Sequence, residues 1–136
     1  MSVSIIIPTH NGRHLLEANL PQVLAAAKNS QIIIVDDAST DDTTSWLKHT
    51  YPEIKLIINH RNLRFARAVN RGVVHAAGDI VVLLNNDVKP QADFLTPLIK
   101  HFHNPNVFAV GCLEINSENG QQIFGGRGVG EFKRGL

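Results

Sequence analysis

Three short polar clusters in this sequence each follow directly on an apolar run: Pro8-Thr9-His10-Asn11, Asp36-Asp37-Ala38-Ser39 and Asn85-Asn86-Asp87. The third is the clearest candidate for metal chemistry. A carboxylate at the end of a buried strand is held rigidly, and Mg²⁺ or Mn²⁺ prefers oxygen ligands, commonly one or two carboxylates completed by substrate phosphates. Asp87 is the candidate metal ligand, and the Asn85 amide oxygen is a weaker ligand or a hydrogen-bonding group. An ordinary turn explains the same three residues, because Asn and Asp hydrogen-bond their own backbone. On these residues alone the two explanations stand about even.

Successive side chains alternate in direction along a strand, so only one of Asp36 and Asp37 is expected to face a ligand. Such a carboxylate can accept the imide N–H of uracil or a ribose hydroxyl, as the acidic residue after a second strand does in dinucleotide sites. Helix capping by Asp37 or Ser39 accounts for much of the same composition. The flat imidazole of His10 can stack on a base, although a surface histidine is the commoner case. Arg64, Arg67 and Arg71 fall on one helical face and could meet a diphosphate; a solvated basic face is the default, with Arg64 at the helix start the exception. His101 and His103 lie two apart on a helix and face different sides, which is poor metal-ligand geometry. Cys112 reads as a buried core residue.

The elements that must position these clusters follow from the apolar pattern. Residues 3–7, 31–35, 54–58, 80–84 and 107–113 read as strands, the continuous apolar runs suiting strands buried on both faces. Between them, residues 13–27 carry a helical stripe that Pro21 should kink or split. Ser39 and Thr40 are candidate caps of a second helix through Trp46 and Leu47, with Asp41 and Asp42 in its first turn. A third helix spans 64–77 and stops at Gly78-Asp79, and Phe94, Leu95, Leu98, Ile99 and Phe102 mark a fourth. Strands alternating with helices imply an α/β fold: a mostly parallel sheet between two helical layers. In such sheets ligands bind beyond the carboxyl ends of the strands, which is where all three polar clusters fall. From residue 114 the pattern fades into a loop or an unfinished part of a larger fold, and residues 120–136 hold six of the ten glycines.

Composition narrows the function classes. The chain has 136 residues, enough for one domain with its own core. Its 13 basic and 12 acidic residues leave a formal charge of +1, which argues against nucleic-acid binding by bulk electrostatics. A single cysteine excludes an intrachain disulfide and a Cys-rich zinc site, and it fits a reducing compartment. No apolar stretch approaches the ~20 residues of a transmembrane helix, and the N-terminus lacks the basic region of a signal peptide. The expectation is a cytoplasmic chain that can sit at the inner face of the membrane.

The segments SIIIPTHNGRHLLEANL, IIIVDDASTDDT and NLRFARAVNRGVVHAAGDIVVLLNNDVKP resemble the nucleotide-binding half of family 2 glycosyltransferases, over about residues 3–113. The resemblance implies the GT-A fold, a Rossmann-like three-layer αβα sandwich, incomplete here at its C-terminal end. It implies that residues 1–136 belong to one such domain. It places Pro8, Thr9, His10 and Asn11 along the nucleoside, with His10 at the position of a base-stacking aromatic residue. Asp37 would accept from the base, with Asp36 beside it. Asn85-Asn86-Asp87 occupies the family's Asp-X-Asp position, with Asp87 matching the last aspartate, which holds Mg²⁺ or Mn²⁺ on the donor diphosphate. The donor would be a UDP- or dTDP-sugar, the acceptor a glycan or lipid-linked hydroxyl, and the transfer would invert the anomeric carbon. Two departures stand out. Arg64 replaces the glycine of the family's Asn-X-Gly-Phe, where it would contact the diphosphate or crowd the donor. The acidic general base is expected beyond Leu136, because Glu114, Glu118 and Glu131 lie in no copy of the family's acceptor-side motif.

Overall fold

The computed structural model describes residues 1–118 and 121–125. The chain forms two compact units, Met1–Thr96 and Pro97–Leu136. In the first, β1 (Val3–Thr9), β2 (Gln31–Asp36), β3 (Lys55–Ile58) and β4 (Ile80–Leu83) build a four-stranded sheet in the order β3-β2-β1-β4. All three pairings are parallel, with Ile6 beside Ile33 and Leu83, and Val35 beside Ile57. The central strands β1 and β2 are buried almost throughout, as their unbroken apolar runs require.

Three helices connect these strands: α1 (Arg13–Ala26), α2 (Thr43–Thr50) and α3 (Arg64–Val74). The chain steps from β1 through β2 to β3 in one direction, then reverses to lay β4 on the far side of β1. Right-handed crossovers therefore put α1 and α2 on one face and α3 on the other, giving the three layers of an αβα sandwich. On the α3 face, Ile6, Ile33, Val35, Ile57 and Ala68 form a single packed cluster. Gly72 lets α3 sit close there, since a Cβ on it would lie 2.5 Å from Ile6 Cγ2. At the amino end of the sheet, buried Ser4 accepts the Gly78 N–H at 2.8 Å and donates to Gln31 at 2.7 Å, which closes the turn from α3 into β4.

Several expectations need correction. Pro21 lies inside α1, which runs unbroken through it. Pro21 and Glu17, whose carbonyl loses the bond, are both exposed, so water satisfies the freed acceptor. The second helix begins at Thr43, one turn later than Ser39-Thr40 capping predicts, because the Asp41 carboxylate takes the Thr43 N–H at 3.0 Å and its hydroxyl at 2.5 Å. Asp41 and Asp42 therefore precede the helix instead of occupying its first turn.

In the second unit, α4 (Leu95–His101) begins in the residues just before it. Residues 107–113 carry no regular structure, so the fifth parallel strand expected there does not form. No described strand offers that run a ladder partner, and Phe108 and Cys112 are exposed instead of joining a core. Strand formation moves to β5 (Glu114–Glu118) and β6 (Gln121–Gly125), an antiparallel pair where a loop was expected. The remainder of the glycine-rich segment lies outside the described residues. Among the described residues, no helix is long and apolar enough to cross a membrane.

Candidate functional site

The strand order reverses between β1 and β4, whose carboxyl ends form the topological switch point at which open α/β sheets bind ligands. Two of the polar clusters meet there. Thr9, buried at the end of β1, accepts the Asn86 side-chain amide at 3.0 Å, and the buried Asn19 of α1 donates to the Asn86 carbonyl at 3.0 Å. Gly12 makes this approach possible. A Cβ there would overlap Thr9 Oγ1 and come within 2.5 Å of Asn86 Nδ2.

Asn86 turns inward from a turn in which the Val88 N–H faces the Asn85 carbonyl at 3.4 Å, and its neighbours Asn85 and Asp87 are both exposed. Neither side chain has a hydrogen bond or ion pair to another described residue. A carboxylate on an anchored loop, with its lone pairs uncommitted, fits the oxygen donor set of Mg²⁺ or Mn²⁺. No group of three His, Cys, Asp or Glu among the described residues gathers to hold a metal.

The Asp36-Asp37 pair behaves differently. Asp36 is fully buried, and its carboxylate takes the Ser39 N–H at 2.7 Å and the Thr44 hydroxyl, holding the start of α2. Asp37 is 5% exposed. Its Oδ1 accepts the Asn59 side-chain amide at 2.6 Å and the Leu63 N–H at 2.8 Å, and its Oδ2 accepts the Arg64 N–H at 2.8 Å. Asp37 thus holds the first residues of α3, where the helix dipole favours a negative charge.

The β1–α1 loop is fastened to the same place. His10 donates from Nδ1 to the Asp37 carbonyl at 2.8 Å, which leaves Nε2 and an exposed ring face outward. The Asn11 N–H donates to Ser39 Oγ at 2.8 Å, and Asn11 Oδ1 accepts the Thr40 N–H at 2.7 Å. Pro8 is half-buried inside β1. Arg13, at the start of α1, forms an ion pair with Asp42 and lies 5.8 Å from the Trp46 ring.

The three arginines of α3 do not act as one stripe. Arg71 turns down to hydrogen-bond Asn59, whereas Arg64 and Arg67 are exposed. Arg64 has φ of 66°, a left-handed backbone that costs an L-residue roughly 1–2 kcal/mol and that glycine adopts freely. This accounts physically for the glycine expected at that position.

The family model described as Glycosyl transferase family 2 matches residues 4–134. The chain belongs to this family. A dolichol-phosphate mannosyltransferase of Pyrococcus furiosus is 34% identical over 120 residues, which are 85% of this chain and 34% of that protein. An undecaprenyl-phosphate 4-deoxy-4-formamido-L-arabinose transferase of Yersinia pestis is 29% identical over 125 residues, 86% of this chain and 38% of that one. The chain thus spans about a third of the length of these relatives. Among solved structures, the mannosyltransferase PcManGT of Pyrobaculum calidifontis, in complex with GDP-Man and Mn²⁺, superposes with a TM-score of 0.66 at 30% identity, over 77% of this chain and 33% of that one. TarS of S. aureus, at 20% identity, matches with a TM-score of 0.68 over 96% of this chain and 23% of that one, a likeness of fold. The fold is GT-A.

Within this family 2 domain, sequence reasoning missed Asn59, Asn86 as the inward anchor, and Gly12. Asn59 carried a usable signal. It is the first polar residue after the third apolar run, the same position that marked the other three clusters.

Proposed function

We propose that this chain is the donor-binding part of an inverting, metal-dependent glycosyltransferase that moves a sugar from a nucleoside diphosphate to an acceptor hydroxyl. The single observation supporting this is the β1–β4 switch point, where Asp87 stands exposed and uncommitted on a loop that Asn86 locks to Thr9. Asp87 would hold Mg²⁺ or Mn²⁺, with Asn85 assisting. A divalent cation there would neutralise the diphosphate as it departs. Pro8, Thr9, His10 and Asn11 would border the nucleoside, with His10 offering its exposed ring face and Asp37 its remaining lone pair, and Asp36 keeping the neighbouring turn in place. Arg64 would lie along the donor.

The acceptor is proposed to be a glycan or a lipid-linked group, reached from the cytoplasmic face of the membrane. Two relatives are named for lipid phosphates, which supports the second class. A UDP or dTDP donor rests on resemblance alone, and a related structure holds GDP-Man, so all three nucleotides belong in the test.

Titration calorimetry with UDP, dTDP and GDP, each with and without Mn²⁺, tests the reading. Binding of at least one nucleotide should require the cation and vanish in Asp87→Ala; equal metal-independent binding by that variant would sink it. A second reading, donor binding without transfer, draws on one observation. Asp36 and Asp37 are committed to internal donors, so neither is free to deprotonate an acceptor, and Asp87 is the residue proposed above for the cation. A turnover assay on this chain beside a longer family member distinguishes the two.

A further inference from the structure

Asn59 and Arg71 stand behind Asp37. Arg71 donates to Asn59 Oδ1, and Asn59 is 2% exposed. A guanidinium can only donate, so Oδ1 must face it and Nδ2 must face the Asp37 carboxylate, at 2.6 Å. The amide orientation therefore follows from the chemistry of its two neighbours. The Asn59 backbone N–H is tied to the Asp36 carbonyl at 2.8 Å, so the side chain is fixed at its root as well.

An ionised carboxylate offers about four lone-pair sites. In Asp37, two on Oδ1 are taken by Asn59 and Leu63, and one on Oδ2 is taken by Arg64. One site on Oδ2 is left, at a residue that retains slight exposure beside His10. Because Asn59 bonds Oδ1 alone, it sets the rotation of the carboxylate and so the direction of that open site.

We propose that Asn59 and Arg71 form a positioning pair for the nucleoside end of the donor site, aiming the open Oδ2 lone pair of Asp37 at the bound base or ribose. The inference rests on the reading of this switch point as a nucleotide site. The pair acts only through Asp37 and touches neither the cation nor the diphosphate. Arg71 is half-buried, and its guanidinium is committed to one buried amide.

The test compares two probes on each variant: the nucleoside diphosphate that binds best, with Mn²⁺, and inorganic pyrophosphate with Mn²⁺. Asn59→Leu keeps the side chain close to its size but cannot donate to Asp37. It should weaken nucleoside diphosphate binding about tenfold, the scale of one hydrogen bond to a charged group, and leave pyrophosphate binding unchanged. Asn59→Ala should show the same split. Arg71→Ala should weaken nucleotide binding by a smaller factor, and Arg71→Lys, which keeps a donor, should restore part of it. A merely structural role would lower both affinities together, and that result, or no change in either, overturns the proposal. If the wild-type chain binds pyrophosphate and nucleotide equally, there is no nucleoside contact to position and the proposal also fails. If it binds neither, the failure is that of the functional reading beneath it.

Discussion

Replacing Arg64 by glycine should stabilise this protein, although it removes a charged side chain from the first residue of α3. Arg64 has φ of 66°, and left-handed backbone costs an L-residue roughly 1–2 kcal/mol. Glycine removes that cost, but its more flexible unfolded chain returns about 0.5–1 kcal/mol of it. The Arg64 side chain is exposed and makes no hydrogen bond or ion pair to another described residue, so its loss costs little. The bonds that matter come from its backbone N–H, to Asp37 Oδ2 at 2.8 Å and Asn62 Oδ1 at 3.0 Å, and glycine keeps both. The net gain is about 0.5–1 kcal/mol, which for a chain of this size raises Tm by about 2–4 °C. Calorimetry or urea unfolding should compare Arg64→Gly with Arg64→Ala, which deletes the side chain but keeps the strain. The alanine variant should stay within about 0.5 kcal/mol of wild type. Equal stability of the two variants would refute the strain argument. Nucleotide affinity, measured on the same pair, separates strain from contact: if Arg64 lies along the donor, both variants weaken binding equally while only glycine gains stability.

Asp37→Ala should cost about 3 kcal/mol or more, because it leaves the Asn59 amide and the Leu63 and Arg64 N–H groups without their acceptor; chemical unfolding checks this, and any loss of nucleotide binding in that variant must be judged against it. Gly12→Ala should cost about 1–3 kcal/mol, since its Cβ would collide with Thr9 and Asn86, and it should loosen Mn²⁺-dependent binding at Asp87. Asp87→Ala should abolish that binding with stability unchanged within about 0.5 kcal/mol, because the side chain is exposed and uncommitted. The Thr43 hydroxyl and N–H hold the Asp41 carboxyl below its ordinary value of 3.8. A lowered folded-state pKa contributes stability that is present above the unfolded value and lost as pH falls through the folded one. The acid limb of the stability profile should therefore be shallower below pH 3.8 in Asp41→Asn, as pH-dependent thermal unfolding can show.

The place of the three polar clusters at the strand ends was legible because it needs only the apolar pattern. Asp87 and the β1 cluster stand at the carboxyl ends where that pattern puts them. The fate of the fifth strand was not legible, because residues 107–113 have strand-like composition, and a strand exists only where another edge offers it a ladder. The reach of α1 through Pro21 was also hidden, since the pattern does not show that the freed carbonyl faces water.

The sequence by itself determined the parallel α/β plan, the three strand-end clusters and the family. The first two follow from residue order, since apolar period fixes the elements and alternation fixes the crossovers; the family follows from the resemblance of three segments. Only the tertiary structure decided what each polar residue does. It turned Asn86 inward and left Asp87 free, and it buried Asp37 behind Asn59 and Arg71, residues 22 and 34 positions away along the chain. Whether a carboxylate is spent on the fold or kept for a ligand depends on which donors reach it in space, and sequence spacing carries no record of that.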